Sequence, residues 1–410
     1  AHHAWSMGDA VVRTLYRLFV SRRHLLEWRA ASQAARSCEA SLGGHYRAMS
    51  GVVLVALVGL AIPLTAGSTG VVIAAFFAIF WAGSPAFAWL VSQSAETEDR
   101  LEVEPEDAAA LRTIARRTWL YFETFVTAEH HMLPPDNFQE VPVPVVAGRT
   151  SPTNIGVYLL SVVSARDFGW ISLSETIDRL DRTMATMEKM DRHRGHLYNW
   201  YDTRTLRPLH PLYVSSVDSG NLAGHLVAVA SACELWAAAP AAHLQGDFSG
   251  IIDVAAILEE ELAALPDDRR ALRPLRQRLA ERIEGMRRAV NTIRDEPETA
   301  AIRTINLTVL AADIRKLAKA LDEEIGSQES GDLALWAEKL EKACEAHLTD
   351  SHVEEAGVGK LRQRLIRLRD RTRKFAFEMD FSFLLRQDRK LLSIGYRIEE
   401  RQLDEACYDL

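Results

Sequence analysis

The chain has few cysteines, and none of them stand at metal-ligand spacing. Its 410 residues contain four, at Cys38, Cys233, Cys344 and Cys407. A zinc ribbon needs ligands in close pairs, and a disulfide framework needs a denser set of cysteines. The sequence therefore predicts neither a metal site nor a disulfide scaffold, and its use of cysteine is typical of a reducing compartment.

An excess of positive charge is also missing. The 48 Lys and Arg residues are outnumbered by 56 Asp and Glu residues, which gives a formal net charge of −8. Proteins that bind nucleic acid need a basic surface for the phosphates, so no nucleic-acid partner is expected. The sequence also lacks strand-type alternation and a glycine-rich phosphate loop, and a mainly α fold is predicted.

Residues 51–95 contain no charged side chain at all. Two apolar runs, residues 52–66 and 70–91, are separated by a small polar turn, which predicts two transmembrane helices in a hairpin. A buried hairpin of a soluble protein is the alternative, because the first run is short and contains Pro63. Arginines before the block favour the membrane and place both ends of the hairpin on the cytoplasmic side.

Composition divides the chain into five regions. Residues 10–28, within a linker region 1–50, have the basic amphipathic pattern of a helix at a membrane surface, although a plain surface helix fits as well. Residues 241–374 are charged helices with heptad-like apolar positions, which predict an antiparallel hairpin or short coiled coil. The predicted regions are 1–50, the hairpin 51–95, a helical domain 108–240, the charged segment 241–374, and a last segment 375–410 with a strand pair near residues 391–396 and a turn at 399–402.

The candidate site residues lie in four polar loops of the helical domain, where sites are commonly carried. Aromatic faces beside amides and carboxylates suit sugar rings. Helix capping and an aromatic corner of the core are the alternatives. The candidates for substrate binding are Asn137, Arg149, Thr150, Asn154, Tyr198, Asn199, Trp200, Tyr201, Asp202, Ser219 and Asn221.

Asp218 is the strongest candidate for a catalytic carboxylate. It stands at the start of a helix rich in small residues, where free N–H groups stabilise negative charge. An N-cap role is the alternative, but the apolar neighbours predict a partly buried carboxylate. Asp136 and Glu140 are the next candidates. Four further side chains on the preceding helix are candidates for the same pocket, with simple surface exposure as the alternative: Glu123, Glu129, His130 and His131.

Several segments together resemble the middle region of cyclic β-1,2-glucan synthases. They include "TWLYFETFVTAEHHMLPPDNFQE", "GRTSPTNIGVYLLSVVSARDFGW", "GHLYNWYDTRTLRPL", "YVSSVDSGNLAGHL" and the last segment "MDFSFLLRQDRKLLSIGYR". The resemblance covers residues 117–236 and 375–410, and it extends to the amphipathic stretch near the N-terminus. The charged region between these segments has no clear counterpart.

The resemblance implies a large bacterial inner-membrane protein of several modules. In such synthases a glycosyltransferase module uses UDP-glucose to build the chain, and a phosphorylase-like module trims it. Between them lies a glucoamylase-like (α/α)6 barrel that closes the linear chain into a ring. No cofactor is expected in this region itself, and the expected partners are a β-1,2-glucan chain, the lipid bilayer and the other modules of the polypeptide.

The implied chemistry is a transglycosylation that uses two carboxylates. The glutamate-bearing motifs of the family continue past Leu410, so the barrel is expected to be incomplete here. The soluble domain is expected on the cytoplasmic side of a multi-pass protein. Two other functions remain open from the sequence: a non-catalytic glucan-binding or scaffolding module, and a β-1,2-glucan hydrolase.

Overall fold

The described residues form two compact units, one within Ala1–Glu102 and one within Val103–Asp409. The computed structural model describes residues 2–21, 41–65, 67, 69–92, 103–240, 248–265, 269–295, 300–326, 331–352 and 355–407. Helices dominate both units, which confirms the predicted mainly α fold.

The first unit consists of helices. They are α1 (His2–Tyr16, continued by a π-helical turn at Arg17–Ser21), α2 (Leu42–Ala48), α3 (Ser50–Thr65) and α4 (Val71–Val91). Of these, α3 and α4 have strongly apolar sequences. Only α4 is by itself long and apolar enough to cross a membrane, while α2 and α3 meet that test together across a bend of 66°. One of the two predicted spans is therefore found. The predicted amphipathic helix over residues 10–28 is described only as far as Ser21.

The second unit carries the remaining elements. Its helices are α5 (Pro105–Phe125), α6 (Pro152–Asp167), α7 (Leu173–Met187), α8 (Ser216–Ala238), α9 (Ser249–Ala264), α10 (Arg273–Asp295), α11 (Ala300–Ile325), α12 (Leu333–Ser351) and α13 (Glu355–Phe377). Its short strands are β1 (Phe138–Gln139), β2 (Val145–Val146), β3 (Arg149–Thr150), β4 (Arg192–His193), β5 (His196–Leu197), β6 (Tyr201–Asp202), β7 (Tyr213–Ser215), β8 (Leu385–Arg386), β9 (Leu391–Leu392), β10 (Gly395–Arg397) and β11 (Gln402–Leu403).

One core of this unit lies among α5, α6, α7, α8 and α13. Ile155 and Leu159, four residues apart on α6, are completely buried, as are Leu222 and Leu226 on α8. Residues four apart share one helix face, so each helix presents an apolar stripe to its neighbour. Full burial of each of these side chains contributes about 1.5–3 kcal/mol. This packing sets the beginnings of α6 and α8 side by side.

A second core is formed by α9, α10, α11 and α12. The charged segment is predicted as an antiparallel hairpin or short coiled coil, but within the described residues its apolar positions meet in a core shared by four helices, while α13 packs with α8 in the first core. A buried group joins the two cores. Asp253 on α9 accepts hydrogen bonds from Arg112 Nη2 at 2.7 Å and from Trp170 Nε1 at 2.8 Å.

Short strands connect the last segment to the loop before α8. β10 pairs antiparallel with β7 on one side and with β11 on the other. The predicted strands near residues 391–396 are present as β9 and β10, but they pair with β8 and β11 and not with each other. The predicted turn is found at residues 398–401. Residues from the end of the chain thus lie beside the strand that leads to Asp218.

Candidate functional site

Asp218 lies in the first turn of α8, and it does not cap that helix. The cap is Ser215, whose hydroxyl accepts a hydrogen bond from the Asp218 backbone N–H at 3.1 Å. The carboxylate instead faces the start of α6, where Thr153 Oγ1 donates to Asp218 Oδ1 at 2.5 Å. A carboxylate near the N-terminus of a helix is stabilised by the helix dipole. The N-cap residue of α8 is therefore Ser215 and not Asp218.

The loop before β6 contacts the second oxygen of this carboxylate. With the Asn199 amide oriented to satisfy both of its neighbours, its nitrogen donates to Asp218 Oδ2 at 3.1 Å. In the same orientation its oxygen accepts from Trp200 Nε1 at 3.1 Å. These hydrogen bonds link the three half-buried side chains, as is usual for partly desolvated polar groups. The structure thus brings Asn199, Trp200 and Asp218 together.

Asp136 is the centre of a second, neighbouring cluster. Arg149 donates to Asp136 Oδ2 from Nε at 3.1 Å and from Nη2 at 3.0 Å, and Asn154 Nδ2 donates to Oδ1 at 3.2 Å. Asn137 also donates to this carboxylate. The ion pair engages Asp136, whereas Asp218 has only neutral donors among its hydrogen-bond partners. Asp136 is therefore the weaker candidate for a reacting carboxylate.

The two clusters are joined by Trp200. The guanidinium carbon of Arg149 lies 4.6 Å from the centroid of the Trp200 ring, within the range of a cation–π contact. Tyr121 closes the other side of the Asp136 cluster, where its hydroxyl donates to the Pro135 carbonyl at 2.9 Å. Burial and the nearby negative charge of Asp136 raise the pKa of Tyr121. Predicted residues of all four loops thus form one connected polar surface.

A cavity of about 360 Å³ borders this surface. Cavities of this size accommodate small ligands, and a mixture of aromatic and hydrogen-bonding walls suits a sugar unit. Its walls come from two loops far apart in sequence: Asn199, Trp200, Leu209, His210, Pro211, Leu212, Tyr213, Arg397, Glu399 and Glu400. Of these lining residues, the sequence analysis named only Asn199 and Trp200 as site candidates. Residues 397–400 could not be named, because the pairing of β7 with β10 is what brings them to the cavity.

Charged side chains line one part of that cavity. His210 Nδ1 lies 2.5 Å from Glu399 Oε1, and Arg397 lies 3.2 Å from Glu400. Arg397 also lies 3.5 Å from Asp404. Such groups offer hydrogen bonds to hydroxyls through both donors and acceptors.

Three of the predicted binding residues are part of the core or of a turn. Tyr201 is fully buried, and its hydroxyl donates to the Asp191 carbonyl at 2.6 Å while accepting from the Tyr198 N–H at 2.8 Å. Asp202 holds a turn, since its Oδ1 accepts from the Thr205 N–H at 2.8 Å. Thr150 is fully buried in β3 opposite Tyr201. For Tyr201 these surroundings match the alternative of an aromatic corner of the core.

The remaining candidates lie in the site, in the core or at the surface. Asn221 Nδ2 donates to Thr153 Oγ1 at 3.4 Å, which adds it to the Asp218 cluster. Ser219 is buried one residue after Asp218, and Tyr198 packs against the core. Glu140 is exposed just after β1. Within the described residues, the structure gives Glu140 no hydrogen bond to the Asp218 cluster.

The acidic and histidine residues near the end of α5 have partners elsewhere. Glu123 pairs with the buried Arg116 at 3.3 Å, and Lys339 lies 3.4 Å from the same carboxylate. His130 bonds to Thr203 Oγ1 at 2.6 Å. Glu129 pairs with Arg204, and His131 Nε2 lies 2.9 Å from the Arg204 carbonyl oxygen. Across the described ranges, no three His, Cys, Asp or Glu side chains converge as they would around a metal ion.

Taken together, these observations define a mainly helical protein with an apolar helical unit and a polar site of two carboxylate clusters beside a cavity. Residues 113–220 match a family described as a protein of unknown function (DUF3131). The matched stretch includes both Thr153 and Asp218.

The whole chain is 57% identical over 410 residues to the cyclic β-(1,2)-glucan synthase NdvB of Rhizobium meliloti (strain 1021). It spans 14% of the length of that relative. The resemblance to cyclic β-1,2-glucan synthases that the sequence motifs carried is thus confirmed over the full chain.

Proposed function

We propose that this chain is the part of a cyclic β-1,2-glucan synthase that binds the linear β-1,2-glucan and closes it into a ring. The arrangement of Asp218, Asn199 and Trp200 beside the cavity is the observation that carries this proposal. Glycosidic chemistry uses a pair of carboxylates beside the bound sugar, and Asp218, next to the aromatic wall of the cavity, is suited to be one of them. The similarity to a named synthase supports the choice of substrate.

In the proposed reaction a β-1,2 bond breaks and a distant 2-hydroxyl of the same chain takes up the glycosyl unit. A general acid protonates the departing oxygen, and a carboxylate stabilises or activates the other side. Asp218 is the proposed carboxylate within this chain. A second carboxylate would come from the rest of the synthase, because the ion pair with Arg149 engages Asp136.

The fold and location in the cell form part of the same proposal. The helical unit would be part of a glucoamylase-like (α/α)6 barrel on the cytoplasmic side of the bacterial inner membrane. Helix α4, together with the bent pair α2 and α3, would span the bilayer as a hairpin. The glycosyltransferase, which uses UDP-glucose, and the phosphorylase-like module would be joined to it in one polypeptide.

Substitution of Asp218 tests this function. In the complete synthase, supplied with linear β-1,2-glucan, we expect Asp218→Asn to lower ring formation by about a thousandfold or more, because a neutral amide cannot replace the carboxylate. Mass spectrometry detects the rings, which are one water lighter than linear chains. Asp167→Asn, at the exposed end of α6, is the matched control and should form rings normally. Unchanged ring formation by a folded Asp218→Asn variant would refute the catalytic role.

A non-catalytic glucan-binding module is the second candidate function. The ion pair with Arg149 engages Asp136, so Asp218 is the one carboxylate of the two neighbouring clusters that remains for chemistry. Glycosidic cleavage uses two carboxylates, and this arrangement therefore favours the non-catalytic alternative. Under this alternative, Trp200→Ala weakens binding of linear β-1,2-glucan in titration calorimetry, while Asp218→Asn forms rings at the normal rate. Loss of ring formation in Asp218→Asn with glucan binding retained would rule it out.

A further inference from the structure

The hydroxyl of Thr153 has a partner that helix capping does not explain. Ser151 caps α6, because its hydroxyl accepts from the Asn154 N–H at 3.1 Å. Thr153, two residues further on, instead donates to Asp218 Oδ1 at 2.5 Å, across the gap between two helices. Threonine hydroxyls within a helix usually bond to a backbone carbonyl of their own helix. This hydroxyl therefore joins the first turn of α6 to the first turn of α8.

The neighbours of Thr153 fix the direction of its hydrogen bond. Asn221 Nδ2 donates to Thr153 Oγ1 at 3.4 Å, so the hydroxyl oxygen acts as an acceptor toward Asn221. Its own hydrogen is then available for the carboxylate of Asp218. Asn199 donates to the other carboxylate oxygen at 3.1 Å. The carboxylate is thus held at both oxygens by side chains from different elements.

We propose that Thr153 is a positioning residue for ring closure, which holds the Asp218 carboxylate in its reacting orientation. This inference rests on the proposed function of Asp218. A carboxylate side chain has free rotation unless its oxygens are bonded, and reacting groups must be held within a fraction of an ångström of their productive geometry. Thr153 acts through Asp218, and its expected effect falls on turnover and not on glucan affinity.

Three substitutions at this position test the inference in the complete synthase with linear β-1,2-glucan. Thr153→Val keeps the shape and removes the hydroxyl, and we expect kcat to fall about 10- to 100-fold while KM changes less than about twofold. Thr153→Ser keeps the hydroxyl and should retain kcat within about threefold. Thr153→Ala also lacks the hydroxyl and is smaller, so it replaces Val if that variant does not fold. Circular dichroism and the thermal unfolding midpoint check folding.

Three outcomes would overturn the inference. They are a Thr153→Val or Thr153→Ala variant with normal kcat, equal losses for Ser and Val, and a loss confined to KM. The Asp218→Asn variant in the same assay separates this failure from failure of the proposed function. Normal ring formation by Asp218→Asn refutes the proposed function and the inference together. An inactive Asp218→Asn beside a fully active Thr153→Val refutes the inference alone.

Discussion

Asp202 and Asp218, in neighbouring loops, are held in different ways. Asp202 accepts hydrogen bonds from the Arg204 and Thr205 N–H groups and from the Thr205 hydroxyl, all within its own turn. Asp218 accepts from two side chains of other elements, and its backbone N–H is engaged by a serine cap. A carboxylate whose acceptors are filled by a local turn stabilises that turn. The carboxylate of Asp218 is instead held by side chains from other elements, which is the arrangement on which its proposed catalytic role depends.

The turn at Asp202 leads to a pH prediction. Hydrogen bonds from Thr205, chiefly its backbone N–H, lower the pKa of Asp202 below the ordinary value of 3.8. A lowered folded-state pKa stabilises the protein above the unfolded value, and this contribution disappears as the pH falls through the folded value. Between neutral pH and about pH 3, Asp202→Asn should therefore lose less stability than the unmodified chain. Urea unfolding at both pH values measures this, and equal losses for the two proteins would contradict it.

For single residues, the sequence indicated which side-chain types could serve a site, but it did not predict which atoms they contact. The apolar and small residues around Asp218 predicted a partly buried carboxylate at a helix start, and Asp218 is half-buried in the first turn of α8. The sequence did not reveal that Ser215 is the cap, since Ser215, Ser216 and Asp218 all suit that role by type. Nor did it separate Tyr201 from Trp200, because burial of one aromatic ring and not the next depends on the tertiary packing around β6.

At the scale of elements, α6 and α8 pack closely at a glycine. A Cβ atom at Gly156 on α6 would stand 2.5 Å from Nδ1 of His225 on α8 and 3.3 Å from its Cγ. Contacts this short force the helices or the ring to shift. The position of Thr153 relative to Asp218 depends on the same helix pair, so the glycine supports the site from one turn away.

Replacement of this glycine should lower stability. For Gly156→Ala we expect overpacking to cost about 1–3 kcal/mol, against a gain of up to about 1 kcal/mol from helix propensity, and the thermal unfolding midpoint should fall. Gly285→Ala in α10 is the matched control, since nothing lies within 4 Å of its added Cβ. That control should leave the midpoint unchanged or raise it. A higher midpoint for Gly156→Ala would show that the helices tolerate the methyl group.

Helices were predictable as elements, but their partners were not. A helical domain was predicted over residues 108–240, where the structure has α6, α7, α8 and most of α5, but the first residue of α8 was not predictable, because several residues there suit a cap by type. The charged segment shows why the packing partners of a helix are harder to predict than the helix itself. Heptad-like spacing indicates that one face of a helix is buried, but it does not indicate how many helices share that core. Four helices share one core here, and α13 buries Leu365 and Leu368 in the other.

At the scale of the whole molecule, distant parts of the chain build one site. Trp200 and Arg397 line the same cavity although about half of the chain separates them. No local pattern reports such an approach, because it follows from the antiparallel pairing of β7 with β10. Periodicity did not indicate a protein family, whereas the sequence motifs resembled cyclic β-1,2-glucan synthases. The 57% identity over the whole chain confirms this resemblance.

The central claim is that Asp218, and not Asp136, is the reacting carboxylate of this chain. The most direct test compares ring formation by Asp218→Asn and Asp136→Asn in the complete synthase, with linear β-1,2-glucan as substrate and mass spectrometry as the readout. We expect Asp218→Asn to form rings at about a thousandth of the normal rate or less, while Asp136→Asn still forms them, because Asp136 is held in an ion pair with Arg149. Normal ring formation by Asp218→Asn, with loss in Asp136→Asn, would contradict the account.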